Sequence, residues 1–514
     1  ERKRAGLQTS PAQNRRTAGR RCFRMIGQHD HWINGALSRP ASGQYLPSFD
    51  PMTEEPWAEI ARGDAADIDD AVQSAQRAFL TWRRTGPTQR AEILWKLGDL
   101  IGEHSDQLAQ LESRDAGKVI REVKTQQLML RNWYHYYASL SYQMEGRQIP
   151  HDSGTLLAVT IREPYGVIGV IPAFNSPMML GSMSLAPAIA AGNTVVVKPP
   201  EVNSQSLLLL ARLAKEAGLP DGVLNIVHGY GAEAGDALVG HPLVRKVCFT
   251  GGVDSAGFVA ARAAEGLKQT VLELGGKSAN IFFGDVDLHR AVDGVVTGIF
   301  AAAGQTCIAG SRLLVHQSIA DELVQLVSQR ARSIRLGDPS KSDTEMGPMS
   351  QPKIIDGVVQ RVKGAIANGA EVRAGGVDAP VPPKGLFFPP TVLDGVTNDM
   401  EVARTELFGP VLSVIRFSDD DEAIAIANDS PFGLAAGVWT NDFRRAHHVS
   451  RELEAGTVWV NTYRTLQYAT PFGGLKDSGH GRENGLDGFA EFTQPKSIWF
   501  ESNENAITDP FSLR

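Results

Sequence analysis

Cys307 is the residue of this sequence best suited to covalent chemistry. It stands in the stretch AAAGQTCIAG, where small or polar neighbours leave room for a substrate beside the thiol. The chain has two other cysteines, and we interpret Cys22 as part of a basic N-terminus and Cys248 as a buried residue of a strand. A thiolate adds to a carbonyl carbon and is later expelled, so Cys307 is the candidate nucleophile.

Two further residues could assist that nucleophile. Glu273 ends an apolar run just before Gly275 and Gly276, and it is either a structural acid paired with Lys277 or a general base whose pKa is raised by burial. Asn175 stands between the prolines of PAFNSP, which hold the loop rigid, so its amide could donate to an oxyanion on the substrate. An isolated Asn-Ser-Pro is otherwise only a turn signal. At this point both interpretations of each residue stay open.

A second group of residues is typical of a dinucleotide site. Gly251 and Gly252 follow the strand-like run VRKVCFT and precede a helical run, and backbone N–H groups at such a turn can face a phosphate. Their spacing is not G-x-G-x-x-G, so the glycine pair alone is weak evidence. Lys198 and Glu201 follow the run TVVV, where a lysine and a carboxylate suit ribose hydroxyls. A carboxylate would repel a 2′-phosphate, so Glu201 favours NAD, with NADP as the alternative.

Hydrophobic periodicity predicts the elements that must position these residues. Residues 64–145 repeat apolar positions at helical spacing, and β-branched runs then alternate with helical runs in two series. This alternation predicts an α/β protein with two parallel-sheet domains and a cleft between them. Residues 141–162 and 486–502 hold further strand patterns, which we interpret as a small oligomerisation sheet, with an ordinary surface hairpin as the alternative.

Composition narrows the class of function. The chain of 514 residues is 42% hydrophobic and 21% charged, with no apolar run near the roughly 20 residues of a membrane helix, so we expect no membrane partner. A net charge of −7 disfavours a nucleic-acid partner. The cysteines lack metal-site or disulfide spacing, so we predict no metal, and a cytoplasmic location is favoured over the mitochondrial matrix. Residues 1–24 are expected to form a basic extension without fixed structure.

Seven motifs in a fixed order carry a family resemblance. They are PAFNSP, KPPE, FTGG, ELGGKSAN, GQTC, TELFGP and PFGGLKDSGHGRENG, within a resemblance that covers roughly residues 30–500. The chain thereby resembles the NAD(P)-dependent aldehyde dehydrogenase superfamily, in its bacterial-type, hydrolytic, non-CoA-acylating members. The resemblance implies a Rossmann-like cofactor domain (residues 25–140 and 163–274), a catalytic α/β domain (residues 275–470) and a homodimer or homotetramer joined by the small sheet.

The resemblance also implies an activity and a set of site residues. The activity is NAD-dependent oxidation of a small-molecule aldehyde to the acid through a thiohemiacetal and a thioester on Cys307. Asn175 would be the side-chain half of an oxyanion hole and Glu273 the base for water, while Lys476 matches a lysine to which we assign no role. The implied cofactor-binding residues are Pro172, Lys198, Glu201, Gly231, Phe249, Thr250, Gly251, Gly252, Leu274, Gly275, Glu406 and Phe408. The implied substrate-pocket residues are Ser176, Leu180, Met183, Ala301, Thr306, Ile308, Tyr463, Tyr468 and Phe472, with Tyr463, Arg464, Tyr468 and Phe472 at the opening.

Departures from the family pattern bear on the substrate. Ser176 stands where relatives often have an aromatic residue, and Ala301 and Ala302 replace bulkier residues, so we expect a wide pocket for a bulky or polar aldehyde, such as a ring-containing one. Three alternatives stay open. They are a CoA-acylating dehydrogenase, a non-catalytic binding or structural protein of the same fold, and a cysteine hydrolase with His289 or His316 as its base.

Overall fold

The helical periodicity of residues 64–145 forms four successive helices in the structure, a computed structural model that describes residues 27–504 and residue 511. The first helix begins where the Asp64 carboxylate accepts a hydrogen bond from the backbone N–H of Ala66, while the Asp64 N–H donates to the carboxylate of Asp67. The helices are α1 (Ala65–Trp82), α2 (Pro87–Glu103), α3 (Ser105–Ala116), α4 (Ile120–Leu140), α5 (Pro177–Ala190), α6 (Gln205–Ala217), α7 (Asp236–Gly240), α8 (Val253–Glu265), α9 (Leu288–Ile299), α10 (Ala320–Ser333), α11 (Pro352–Ala367), α12 (Glu401–Arg404), α13 (Asp420–Asn428), α14 (Phe443–Glu452) and α15 (Gly485–Ala490). The extension predicted for residues 1–24 lies outside the described residues.

An eight-stranded sheet forms the first α/β unit. Its strands, in spatial order, are β22 (Gly479–His480), β12 (Gln269–Glu273), β11 (Val244–Thr250), β8 (Val167–Ile171), β9 (Thr194–Val197), β10 (Leu224–Ile226), β2 (His31–Ile33) and β3 (Ala36–Ser38). The five strands from β12 to β10 run parallel, and antiparallel strands close both edges. The prediction of βαβ units and a parallel sheet is confirmed.

Burial on both faces explains why the apolar run of β9 becomes a central strand. Val195 and Val197 pack into the core that contains α5 and α6, whereas Val196 packs into the core that contains α1 and α7. Each buried valine side chain contributes about 1.5–3 kcal/mol relative to an exposed one.

The strand order places a crevice at the carboxyl ends of β8 and β11. The chain adds β9 and β10 on one side of β8 and then returns to place β11 and β12 on its other side. Ligands of parallel sheets bind where the strand order reverses in this way. Pro172 directly follows β8, and Gly251 directly follows β11.

A seven-stranded sheet forms the second α/β unit. Its strands, in spatial order, are β15 (Glu371–Ala374), β16 (Thr391–Asp394), β17 (Val411–Phe417), β14 (Arg312–His316), β13 (Ala279–Phe282), β19 (Ala435–Trp439) and β20 (Thr457–Val460). All pairs are parallel except β15 with β16. The candidate nucleophile lies in the connection between α9 and β14.

Three small sheets complete the described structure. The segments predicted to pair outside the main sheets do so: β7 (Leu156–Pro164) lies between β6 (Gln148–Ile149) and β23 (Thr493–Glu501). The other two sheets contain β1 (Gln28–His29), β5 (Glu55–Ala61) and β4 (Tyr45–Asp50), and β18 (Phe432–Gly433) with β21 (Leu475–Lys476). The exact domain boundaries stay a prediction, and β22 joins the first sheet from outside both ranges predicted for the cofactor domain.

Candidate active site

A tight turn between α9 and β14 presents Cys307. Residues 301–304 form a short 3₁₀ turn in which Ala302 (φ 54°) and Ala303 (φ 53°) adopt left-handed backbone angles. The Ala302 N–H donates to the carboxylate of Glu122 (3.1 Å), which helps to hold this strained turn. Cys307 follows it as a half-buried free thiol.

Asn175 is held against the same turn. Its Nδ2 donates to the backbone carbonyl of Gln305, two residues before Cys307, at 3.0 Å. The side chain of Gln305 is fixed in turn, because its Oε1 accepts from the N–H and the hydroxyl of Ser350. The structure therefore brings the predicted oxyanion donor and the predicted nucleophile together, with the second N–H of the Asn175 amide free for a substrate oxygen.

The surroundings of Cys307 raise the pKa of its thiol. Burial raises the pKa of its thiol to about 12, and the carboxyl groups of Glu406 and Glu273 act in the same direction. The backbone N–H groups of Ile308 and Cys307 itself oppose this increase by hydrogen bonding to the sulfur. Backbone N–H groups beside the sulfur could also stabilise an oxyanion formed there.

Glu273 is a buried carboxyl group at the end of β12. It is 4% exposed, and neither of its carboxylate oxygens has a hydrogen-bond partner among the described residues. Burial raises its pKa well above the usual value, and repulsion from Glu483 adds to the effect against an opposing attraction from Arg482. The alternative of a structural acid paired with Lys277 is not what the structure shows, since burial lowers the pKa of Lys277 to about 7 and the carboxyl group that acts on it is Glu406.

Glu483 is a functional candidate that sequence reasoning missed. It is 3% exposed, accepts a hydrogen bond from the hydroxyl of Ser184 (3.1 Å), and its other oxygen has no partner in the described part of the chain. Burial raises its pKa to about 7. Glu273 and Glu483 therefore form a buried carboxyl pair in which ionisation of one opposes ionisation of the other. Glu483 lies in the motif PFGGLKDSGHGRENG, but nothing in the spacing of the motifs linked it to Glu273.

The predicted ribose-binding pair is assembled at the carboxyl end of β9. The Lys198 ammonium group, almost fully buried, donates to Glu201 Oε1 at 2.9 Å. The same oxygen accepts from the backbone N–H of Gly231 at 2.7 Å. Glu201 is partly exposed, so its second oxygen can accept from a ligand hydroxyl.

The turn after β11 suits a diphosphate. Gly252 caps the 13-residue helix α8 without any side-chain hydrogen bond, and a Cβ atom added there would meet nothing within 4 Å. A Cβ at Gly251 would lie 2.5 Å from the ring of Phe249, so only glycine fits at that position. The first N–H groups of α8 are thus open to a ligand at the crevice. These residues fit a nicotinamide dinucleotide.

Glu406 and Phe408 lie on the opposite wall of the crevice. Glu406 Oε1 accepts from the N–H of Gly276 (3.1 Å), and a Cβ at Gly275 would lie 2.2 Å from Glu406 Oε2. Burial raises the pKa of Glu406 to about 7. The Phe408 ring packs edge-on against Phe174, with ring centres 5.5 Å apart, in the loop that carries Asn175.

Ser176 contacts a cation that the sequence analysis did not identify. Its hydroxyl accepts from the ammonium group of Lys118 at 2.6 Å, and Lys118 also donates to Gln126 Oε1 at 2.8 Å. Lys118 lies just before α4, where the partial positive charge of the helix N-terminus disfavours a cation. That conflict is the one signal in the sequence that could have marked Lys118 for a functional role.

The other predicted pocket residues differ in accessibility. Met183, Ile308, Tyr463 and Phe472 are buried, and the Tyr463 hydroxyl donates to the carbonyl of Ile308 at 3.1 Å. Tyr463 and Phe472 thus belong to the packed wall, whereas the prediction placed them at an opening. The half-buried members are Leu180, Ala301, Thr306, Arg464 and Tyr468.

The structure also shows the surroundings of Cys248, His316 and Lys476, three residues that the sequence analysis considered. Cys248 is 3% exposed in β11, as predicted for a buried strand residue. The ring nitrogens of His316 contact Ser318 and the carbonyl of Ser418, so this histidine is engaged away from Cys307. Lys476 donates to the carbonyls of Asn428 and Ser430, which gives it a structural role.

The described part of the chain comprises residues 27–504 and residue 511. No helix among them is both long enough and apolar enough to span a membrane. No group of three or more His, Cys, Asp or Glu side chains among them is arranged to hold a metal ion.

Comparisons with known proteins point to one family. The sequence profile of the aldehyde dehydrogenase family matches residues 38–498. The (Z)-2-((N-methylformamido)methylene)-5-hydroxybutyrolactone dehydrogenase of Acinetobacter baylyi is 41% identical over 491 residues, covering 95% of this chain and 100% of the relative. Retinal dehydrogenase 2 of Homo sapiens is 40% identical, with coverages of 91% and 90%. A solved structure of betaine aldehyde dehydrogenase from Staphylococcus aureus in complex with NAD+ has a TM-score of 0.92 at 34% identity, with coverages of 94% and 97%.

Proposed function

This chain belongs to the aldehyde dehydrogenase family and catalyses the NAD-dependent oxidation of an aldehyde, and we propose that Cys307, Glu273 and Asn175 carry out the reaction with hydrolytic release of a carboxylic acid. One observation carries this assignment. Asn175 is hydrogen-bonded to the turn that presents Cys307, and the Glu273 carboxyl group acts electrostatically on the same thiol. A nucleophile, an oxyanion donor and a base thus share one cleft.

The first step is addition of the Cys307 sulfur to the carbonyl carbon. The S–C bond forms as the thiol releases its proton to solvent water, and the carbonyl electron pair moves to oxygen. Asn175 Nδ2 and the Cys307 N–H stabilise that oxygen, and removal of one such donor typically lowers the rate about 10²–10³-fold. The product of this step is a thiohemiacetal on Cys307.

The cofactor site is the crevice beside this cysteine. Lys198 and Glu201 would hold a ribose, the N–H groups at Gly251 and Gly252 a diphosphate, and Glu406 and Phe408 the nicotinamide end. A nicotinamide ring held there would supply the hydride acceptor for conversion of the thiohemiacetal on Cys307 into a thioester. The Phe408 ring packs against Phe174 in the loop that carries Asn175, so aromatic rings flank this end of the crevice.

Hydrolysis of the thioester is assigned to Glu273. Its carboxylate takes a proton from water, the water oxygen adds to the acyl carbon, and the C–S bond breaks to release the acid and the Cys307 thiolate. A carboxyl group with a raised pKa is a stronger base than an ordinary glutamate. An enzyme that transfers the acyl group to coenzyme A has no need of this base, so Glu273 supports hydrolytic release.

A cysteine replacement tests the assignment. Cys307→Ser should lower NAD reduction with aldehydes at least about a thousandfold, because a hydroxyl is a much weaker nucleophile here. The matched control is Cys248→Ala, which removes the other described thiol and should retain most of the activity. Absorbance at 340 nm follows the reaction. Undiminished NAD reduction by the serine variant would contradict the proposal.

For the substrate, we propose a bulky or polar aldehyde. The side chains of Ala301 and Ala302, within the nucleophile turn, are small and half-buried, and Ser176 brings a hydroxyl in place of an aromatic ring. The relatives from Acinetobacter baylyi and Homo sapiens are named for ring-containing compounds. A panel of aldehydes should give higher kcat/KM values for bulky members than for acetaldehyde and propanal. The reverse order across the panel would contradict this assignment.

We also propose that the small sheet of β6, β7 and β23 forms the contact between subunits of a homo-oligomer. Strands β7 and β23 expose apolar side chains at Leu157, Trp499 and Phe500, a surface suited to a homodimer or homotetramer. Trp499→Glu should reduce the molar mass measured by light scattering.

We also propose a cytoplasmic location, since Cys307 acts as a free thiol and a reducing compartment preserves it.

A further inference from the structure

Lys118 is a buried cation beside the substrate pocket with neutral hydrogen-bond partners. It is 4% exposed, and the atoms that accept from its ammonium group belong to Gln126 and Ser176. Its side chain lines a small cavity together with Asn175 and Ala302. An ammonium group has three donors, so one remains for another partner. No carboxylate of the described residues forms an ion pair with it.

Arg464 is a second cation at the same place. Its guanidinium group donates to the carbonyl of Thr297 (3.3 Å), near the end of the helix that leads to the nucleophile turn. It forms no ion pair with any of the described residues. Burial lowers the pKa of Arg464, and Glu122, Tyr463 and Cys307 oppose that decrease. Burial also lowers the pKa of Lys118, where the carboxyl groups of Glu112 and Glu122 oppose the decrease and the charge of Arg464 adds to it. Tyr463, the neighbour of Arg464 in the chain, donates to the carbonyl of Ile308, the residue after Cys307, so Arg464 lies close to the nucleophile.

The carboxylates of this region are already engaged. Glu122 accepts from the backbone N–H of Ala302 and is only partly able to offset Arg464. Glu112 accepts from Gln127, Ser206 and the N–H of Met178, and its burial raises its pKa. Glu112 and Glu122 act on the two cations only through space, because the hydrogen-bond acceptors of Lys118 and Arg464 are neutral groups. A further anion in contact with both cations would therefore be stabilised.

We propose that the substrate is an aldehyde that also carries a carboxylate, and that Arg464 binds this carboxylate while Lys118 and the Ser176 hydroxyl support it. The inference rests on the proposed function and narrows its substrate class. Arginine binds carboxylates through paired N–H groups, and the partly buried position strengthens the interaction. Arg464 is a specificity-determining residue in this proposal, because it acts on the end of the substrate remote from the reacting carbon.

Matched substrate pairs test the proposal without any mutation. The pairs are succinic semialdehyde with butanal, glutaric semialdehyde with pentanal, and para-carboxybenzaldehyde with para-methylbenzaldehyde. The wild-type enzyme with NAD should give a kcat/KM roughly tenfold or more higher for the carboxylated member of at least one pair. A preference for the neutral member in all three pairs overturns the proposal.

Variants of Arg464 test whether this residue causes the preference for carboxylated aldehydes. Arg464→Leu should reduce the preference for the carboxylated member at least about fivefold, mainly through KM, and Arg464→Lys should restore part of it. The control is Arg444→Leu, which removes the same charge from an exposed position on α14 and should leave the preference unchanged. An equal loss for both members of a pair in Arg464→Leu overturns the role of Arg464.

The outcomes separate this inference from the proposed function. If only neutral aldehydes support NAD reduction, the proposed dehydrogenase function stands and only the proposed carboxylate preference is overturned. No NAD reduction with any aldehyde of the panel overturns the proposed function itself, and the inference with it.

Discussion

Burial of Glu273 links the chemistry of the site to the stability of the fold. In the folded state its pKa is raised, first by burial and then by Glu483, so the folded chain binds this proton more tightly than the unfolded chain does. The contribution of this group to stability therefore falls as pH rises above the ordinary glutamate pKa toward the raised value. Each unit of raised pKa corresponds to about 1.4 kcal/mol once both states are ionised.

Glu273→Gln should therefore separate activity from stability. The variant should lose about a hundredfold or more in kcat, since an amide cannot take a proton from water. Its free energy of unfolding should be similar to that of the wild type near pH 5. Toward pH 8 it should exceed the wild-type value by a steadily growing amount, because the amide never ionises. Urea unfolding at several pH values measures this difference. A variant that becomes less stable relative to wild type as pH rises would contradict the buried, partnerless carboxylate.

Glu483 should set the pH at which Glu273 works. In its ionised form it raises the pKa of Glu273, so Glu483→Gln should lower that pKa and move the acid limb of the kcat profile to lower pH. Glu163→Gln removes the same charge from the outer sheet, where Glu163 pairs with Lys496, and should leave the profile in place. If both variants share the wild-type profile, the coupling between the two buried carboxyl groups has no role in catalysis.

Residues in contiguous motifs could be predicted from the sequence, whereas their distant neighbours could not. Cys307, Asn175, Lys198 and Glu201 were predicted because each motif keeps its residue beside glycines or prolines that shape a local turn. Lys118 was missed, because its contact with Ser176 joins positions 58 residues apart and depends on how α4 and α5 pack.

At the scale of elements, the nucleophile turn carries measurable strain. Left-handed backbone angles at Ala302 cost about 1 kcal/mol for a residue with a Cβ, and asparagine tolerates them better. Ala302→Asn should therefore stabilise the protein by about 0.5–1 kcal/mol. Ala301→Asn is the control, since Ala301 has no left-handed angle and loses helix-forming preference. Thermal unfolding compares the two, and equal midpoints would show that the turn is unstrained.

Helices and strands with a long hydrophobic pattern could be predicted from the sequence, whereas strands of only two residues could not. The four helices between residues 64 and 145 and the β-branched runs of β9 and β11 follow directly from their patterns. The two-residue strand β22 has no such pattern, and it exists because its backbone pairs with Leu272 and Glu273 from far along the chain. That pairing attaches the segment before Glu483 to the end of β12, and so creates the carboxyl pair.

At the scale of the whole molecule, two stacked histidines lie within the first sheet, His31 in β2 and His228 just after β10. His31 and His228 are both fully buried, with ring centres 6.2 Å apart, and His31 lies 3.6 Å from the carboxylate of Asp67. Neither ring nitrogen of His228 has a partner among the described residues. Burial, together with repulsion from His31, His29 and Lys198, holds the pKa of His228 well below its usual value.

This arrangement predicts a loss of stability in mild acid. Because the folded-state pKa of His228 is lowered, the unfolded chain takes up a proton below about pH 6.5 that the folded chain refuses. Stability contributed by His228 thus decreases as pH falls, by up to about 1.4 kcal/mol per pH unit, with a sign opposite to that of Glu273. His228→Leu should flatten the decline in the urea midpoint between pH 6.5 and pH 5, while His447→Leu, at an exposed position on α14, should not. An unchanged decline in the His228 variant would mean that other groups carry the acid sensitivity of the fold.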